Sequence, residues 1–100
     1  MDIKPGRYNK RSAATVAVML TSRERAFTTE LTVTENISER GARVLTKKLW
    51  WTNDALVIKS LEGDLQSEAR VVYRQPLREN VYAIGLELLA PKGDWRQKSQ

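Results

Sequence analysis

From Phe27 to Glu35 the chain reads Phe-Thr-Thr-Glu-Leu-Thr-Val-Thr-Glu. Phe27, Thr29, Leu31 and Val33 fall on one parity, and Thr28, Glu30, Thr32 and Thr34 on the other. Successive side chains of an extended strand point to opposite faces, so a period of two predicts a strand with one face turned to a core. A helix would instead repeat its apolar positions every three to four residues. Shorter strand-like runs follow the same theme at 13–20, 42–46, 55–61, 68–74 and 81–89. Between them lie turn-forming stretches at 21–25, 36–41, 51–54, 62–64 and 76–80. Short strands spaced about ten residues apart predict a small antiparallel barrel or sandwich. Gly85 inside the last run predicts a bulge or a close approach, and Pro91 predicts that strand's end.

A chain of 100 residues can build one cored domain but not two. Its apolar runs are strand-sized, the most compact being Val16 to Leu20, and none nears the roughly 20 residues of a membrane helix. The first residues carry no apolar segment of a secretory signal. With no cysteine there is no disulfide framework, and a cytoplasmic location without membrane insertion is the expectation. The sequence also lacks histidine, which removes Ser-His-Asp and Cys-His arrangements and ordinary zinc sites. No P-loop, dinucleotide-binding glycine motif or EF-hand loop is present. The expectation is a non-enzymatic protein with no metal and no bound cofactor.

The net charge of +5 is unevenly spread: residues 1–11 contribute +3, residues 91–100 contribute +2, and the body between them sums to zero. A protein that tracks a long polyanion spreads its charge over a folded face, whereas a local cluster suits a compact anion. In the first cluster, Arg7 and Arg11 stand four residues apart in an arm that precedes the first strand. The planar guanidinium gives paired hydrogen bonds to phosphate or to the O6/N7 edge of guanine, and it stacks on flat bases. Read alone, the same run is better explained as a solvated basic tail. A second segment, Asn36-Ile37-Ser38-Glu39-Arg40-Gly41, joins two strands. Asn and Ser there can bond a ligand or their own turn, and Gly41 gives either a special backbone angle or room for a ligand.

Taken together, these segments have the form R-x-x-x-R followed by [D/N]-x-S-x-x-G. In these motifs, in their separation of about 25 residues and in its closing run Ala83-Ile84-Gly85-Leu86-Glu87-Leu88, the chain resembles the PilZ family. The resemblance implies a six-stranded antiparallel β-barrel that binds the bacterial second messenger cyclic di-GMP. It further implies that Arg7 and Arg11 grip guanine edges and phosphates, that Asn36 and Ser38 contact one base, and that Gly41 lets the ligand lie against the barrel. Tyr73 resembles an aromatic that some members carry near the ligand, and it is equally read as a barrel aromatic with a wet hydroxyl. Gly6 stands where many members have a further arginine, which leaves one or two ligands per domain open. Arg40 and Arg43 read as surface charges.

The expected organisation is a basic arm over 1–11, a barrel over 12–90 and a tail or short helical turn over 91–100. The expected role is a receptor that binds cyclic di-GMP and signals to a downstream protein. One rival is a PilZ-like scaffold that binds proteins without nucleotide. Another is a small barrel for single-stranded nucleic acid, disfavoured because the body is neutral and aromatics are only 7%. Trp50-Trp51 fits either reading of an adjacent pair. In an extended strand one at most would face the core and the other would be an exposed partner anchor; in an irregular loop both would pack over the barrel end.

Overall fold

In the computed structural model, residues 12–26 and 28–96 are described. They form β1 (Ser12–Ala13), β2 (Ala17–Ser22), β3 (Thr29–Ile37), β4 (Gly41–Thr46), β5 (Ala55–Ser60), β6 (Gln66–Arg78) and β7 (Val81–Lys92). Every pairing is antiparallel. The order β3-β2-β5-β6-β7-β4 closes through the β3–β4 pairing, giving the expected six-stranded barrel with no free edge among these strands. The two-residue β1 adds on beside β3. The described residues include no helix, and so none long and apolar enough to cross a membrane.

The interior is filled by alternate residues of the strands, among them Val18, Leu20, Val44, Leu56, Ile58, Val71, Ile84 and Leu86, all at most 2% exposed. Trp50 closes the end of the barrel at which β4 finishes, and is fully buried. Trp51 beside it is 54% exposed, so the irregular chain between β4 and β5 separates the pair much as a strand would.

In strand β3 the inward face is not the apolar one. Leu31 is 66% exposed while Thr34 is 1% exposed, so its Glu30–Thr32–Thr34 parity turns inward. The reason lies in neighbouring backbone that leaves the sheet and needs partners. Residues 14–16 fall out of the ladder between β1 and β2. Thr34 Oγ1 donates to the Ala14 carbonyl at 2.7 Å and accepts the Val16 N–H at 2.9 Å. Glu30 serves the opposite end, accepting the Trp50 indole N–H at 3.0 Å, the Lys47 N–H at 2.9 Å and the Thr46 hydroxyl. Polar groups on this face thus hold two breaks in the sheet.

Two prolines also lie within strands rather than beyond them. Pro76 pairs with Tyr82 beside a register shift, so its missing N–H falls at an irregularity, and the β6–β7 turn tightens onto Asn80 at φ 62°. Strand β7 runs past Pro91 to Lys92, where Gln66 is its partner.

Candidate functional site

The site is built where β3 turns into β4. Ser38 N–H donates to the Gly41 carbonyl at 2.9 Å, and the Ser38 hydroxyl donates to the same oxygen at 3.2 Å. These two bonds close Ser38–Gly41 into a fixed turn directly after Asn36 and Ile37 at the end of β3, leaving the serine oxygen its acceptor capacity. The turn is tied to the barrel from β7, whose Leu88 N–H donates to the Arg40 carbonyl at 2.9 Å. Ser38 and Gly41 are buried or nearly so, whereas Glu39 and Arg40 are exposed. The structural and the ligand-contact interpretations of this segment are compatible, since the bonds that stiffen the turn also fix what it presents.

Strand β1 brings the N-terminal side of the chain to the same turn. Ser12 is opposite Ile37 and Ala13 is opposite Asn36. On its other side Asn36 is registered with Arg43 of β4. Arg7 and Arg11 lie outside the described residues. The structure therefore brings Asn36 at the end of β3 together with Ser38 and Gly41 of the β3–β4 turn, next to β1.

Outward residues of β4, β7 and β6 continue the site along the barrel surface. Because Ala42 and Val44 point into the core, Gly41 and Arg43 face outward. Gly41 is opposite Glu87, which is opposite Arg70; Arg43 is opposite Gly85, which is opposite Tyr73. Arg70 and Glu87 form an exposed ion pair. Arg43 is held by three acceptors: Glu35 Oε1 at 2.6 Å, Gln75 Oε1 at 2.9 Å and the Tyr73 hydroxyl at 3.2 Å. The Glu35 carboxylate and then the Tyr73 hydroxyl push the Arg43 pKa up, so this guanidinium is a permanent charge. The Tyr73 ring lies against Gly85 and 5.8 Å from the Arg43 guanidinium. Tyr73 is thus a half-buried surface aromatic whose hydroxyl is already engaged.

Arg43 is the residue whose importance the sequence pattern understated. Its position two beyond Gly41 on a strand puts both on one face, and that parity was available in the sequence. Trp95 carried no such signal. Its indole N–H donates to the Ser38 carbonyl at 3.2 Å across 57 residues of chain, which only the closed barrel brings together.

Two hollows flank the turn and share Ser38 and Arg40. One, of about 460 Å³, lies on the outer face over Gly41, Arg70 and Glu87. The other, of about 700 Å³, lies between the turn and the chain that follows β7, and Trp95 forms part of its wall. Both fall in the size range of small-molecule sites.

No family model matches the sequence, and no curated protein matches it. Among solved structures, the chain is similar to that of the Bacillus subtilis inhibitor of motility (MotI/DgrA). The TM-score is 0.59 at 20% identity, and the match covers 88% of this chain and 46% of that one. The chain thus spans about half the length of its structural neighbour. At this identity the likeness speaks for the fold, a PilZ-like barrel.

Proposed function

We propose that this domain is a receptor for cyclic di-GMP, a binding module without catalysis that acts in the cytoplasm and passes the signal to a partner protein. The observation that carries this is the pairing of Ser12 and Ala13 with Ile37 and Asn36. Arg11 immediately precedes Ser12 in the sequence, which supports an arm able to reach Asn36, Ser38 and Gly41. Guanidiniums in the arm then meet phosphates and base edges, while the fixed turn supplies short polar contacts and close backbone. Ligand contacts made by the arm would tie its position to ligand, which is how the signal would be passed on.

The test is calorimetric titration of the purified protein with cyclic di-GMP, GTP and a short single-stranded oligonucleotide. Heat is expected with the cyclic dinucleotide only, and Arg11→Ala is expected to remove it. A wild-type protein that gives no heat with cyclic di-GMP would overturn the receptor assignment. Binding of the oligonucleotide with steep salt dependence would replace it with nucleic-acid recognition.

A further inference from the structure

After β7 the chain folds back across the mouth of the barrel as a strap, residues 93–96. Leu65 N–H donates to the Asp94 carbonyl at 2.9 Å, and Asp94 N–H donates to Asp64 Oδ1 at 2.8 Å. The Ser60 hydroxyl donates to the Trp95 carbonyl at 2.5 Å. At Gly93, φ is 89° and a Cβ would meet the Asp64 carbonyl oxygen at 2.4 Å, so both the angle and the close approach call for glycine. This backbone is fixed, and it carries the Trp95 ring to the motif turn, where the indole bonds the Ser38 carbonyl.

The hollow of about 700 Å³ opens between these two fixed pieces. It is lined by Ser38 and Arg40 from the turn, by Asp94 and Trp95 from the strap, and by the buried Leu65 and Leu88. Trp95 is half-buried and packed against the core, so its orientation is set before any ligand arrives. An indole in that state is a stacking surface for a flat heteroaromatic ring. Arg40 is exposed, and while its carbonyl accepts the Leu88 N–H, its guanidinium makes no hydrogen bond or ion pair with the other described residues. Its fork is available to the O6/N7 edge of a guanine or to a phosphate.

We infer that this hollow is a base-binding subsite, in which one guanine stacks on Trp95 with Arg40 at its edge or on its phosphate. The inference rests on the receptor assignment above and extends it to a residue outside both motifs. It gives the strap a part in ligand recognition, alongside the outer hollow over Gly41.

Titration with cyclic di-GMP of wild type, Trp95→Ala, Trp95→Phe and Arg11→Ala tests it. Loss of one base stack is expected to weaken Trp95→Ala about tenfold or more, and Trp95→Phe to recover most of the affinity. In a Trp51→Phe background the ligand is expected to quench tryptophan emission, and adding Trp95→Phe is expected to abolish the quench. This readout also serves if Trp95→Ala fails to fold, because a change in strap stability alone does not couple emission to ligand. Trp95→Ala binding within about twofold of wild type, or emission that cyclic di-GMP leaves unchanged, would overturn the subsite while leaving the receptor assignment intact. Absence of binding by wild type removes both.

Discussion

Gly85 offers a sharp test of how the outer face of the site is packed. A methyl group built there would lie 2.1 Å from Tyr73 Cε2, 2.5 Å from Cδ2 and 2.6 Å from Cζ. Ordinary contact begins near 3.4 Å, so in Gly85→Ala the ring must retreat by about 1.3 Å. Forcing a methyl into a filled contact costs about 1–3 kcal/mol. The retreat also weakens the 3.2 Å bond that Arg43 donates to the Tyr73 hydroxyl, worth about 1 kcal/mol. Replacing glycine by alanine in a strand returns about 0.5–1 kcal/mol. The net expectation is a loss of about 1–2 kcal/mol, which for a domain of this size lowers the melting temperature by roughly 4 °C or more. Urea unfolding followed by circular dichroism on wild type, Gly85→Ala, Tyr73→Ala and the double mutant measures it. With Tyr73→Ala present the new methyl enters vacated space, so Gly85→Ala there should be neutral or slightly stabilising. Equal losses in the two backgrounds would refute the reasoning, because the obstruction would then lie in the backbone and not in the ring.

Two further outcomes follow from the polar contacts. Thr34→Val keeps the side chain's shape but leaves the Ala14 carbonyl and the Val16 N–H unpaired beside a residue that is 1% exposed. A loss of about 1–3 kcal/mol is expected in urea unfolding, and a variant as stable as wild type would refute the role given to β3's inward face. Glu62 Oε2 accepts the Ala17 N–H at 2.9 Å, and chiefly for this reason, with Arg96 assisting, its carboxyl stays charged to lower pH than usual. A depressed folded pKa adds stability above the unfolded value of about 4.3, and that stability is lost as pH falls through the folded value. Glu62→Gln should therefore flatten the acid limb of the stability–pH curve below about pH 5, and an unchanged limb would remove Glu62 from it.

Much of the barrel was legible because strand-sized runs and their punctuation survive in any register. Six runs and their turns pointed to a small barrel or sandwich, and the closed six-stranded form was what the PilZ resemblance implied. Facing was harder. Alternation in 27–35 marks two faces but not which one is inside, and the apolar parity is not decisive when the interior must also serve broken backbone. Thr34 and Glu30 turn inward because residues 14–16 and Trp50 need their oxygens. Those needs arise from other segments, so no local pattern contains them. Pro76 was misleading for a similar reason: proline is excluded from regular ladder positions, but the bulge that admits it belongs to the β6–β7 pairing. In the site, the turn at 36–41 was visible as spacing, and Arg43 was within reach of the same parity argument. Trp95 was not, because its relation to Ser38 depends on the whole barrel closing first.

The strap links features that the sequence presents as separate. Trp95 bonds the motif turn at Ser38. Arg96 donates to the Thr15 carbonyl at 2.9 Å and pairs with Glu62 at 3.3 Å. Glu62 in turn accepts the N–H of Ala17, the first residue of β2. The irregular segment 14–16, which connects β1 to the barrel, is thus anchored on one side by Thr34 and on the other by the strap. Beyond that segment β1 has only two residues in the sheet, Ser12 and Ala13. A two-residue ladder is a weak attachment compared with the long pairing of β6 and β7. If ligand reorganises the chain at β1, the strain has a short route to residues 93–96, through Thr15 and Arg96. The same strap carries the ring proposed to stack on a base. The strap is thus bonded at once to the motif turn and to the segment that leads from β1 into the barrel.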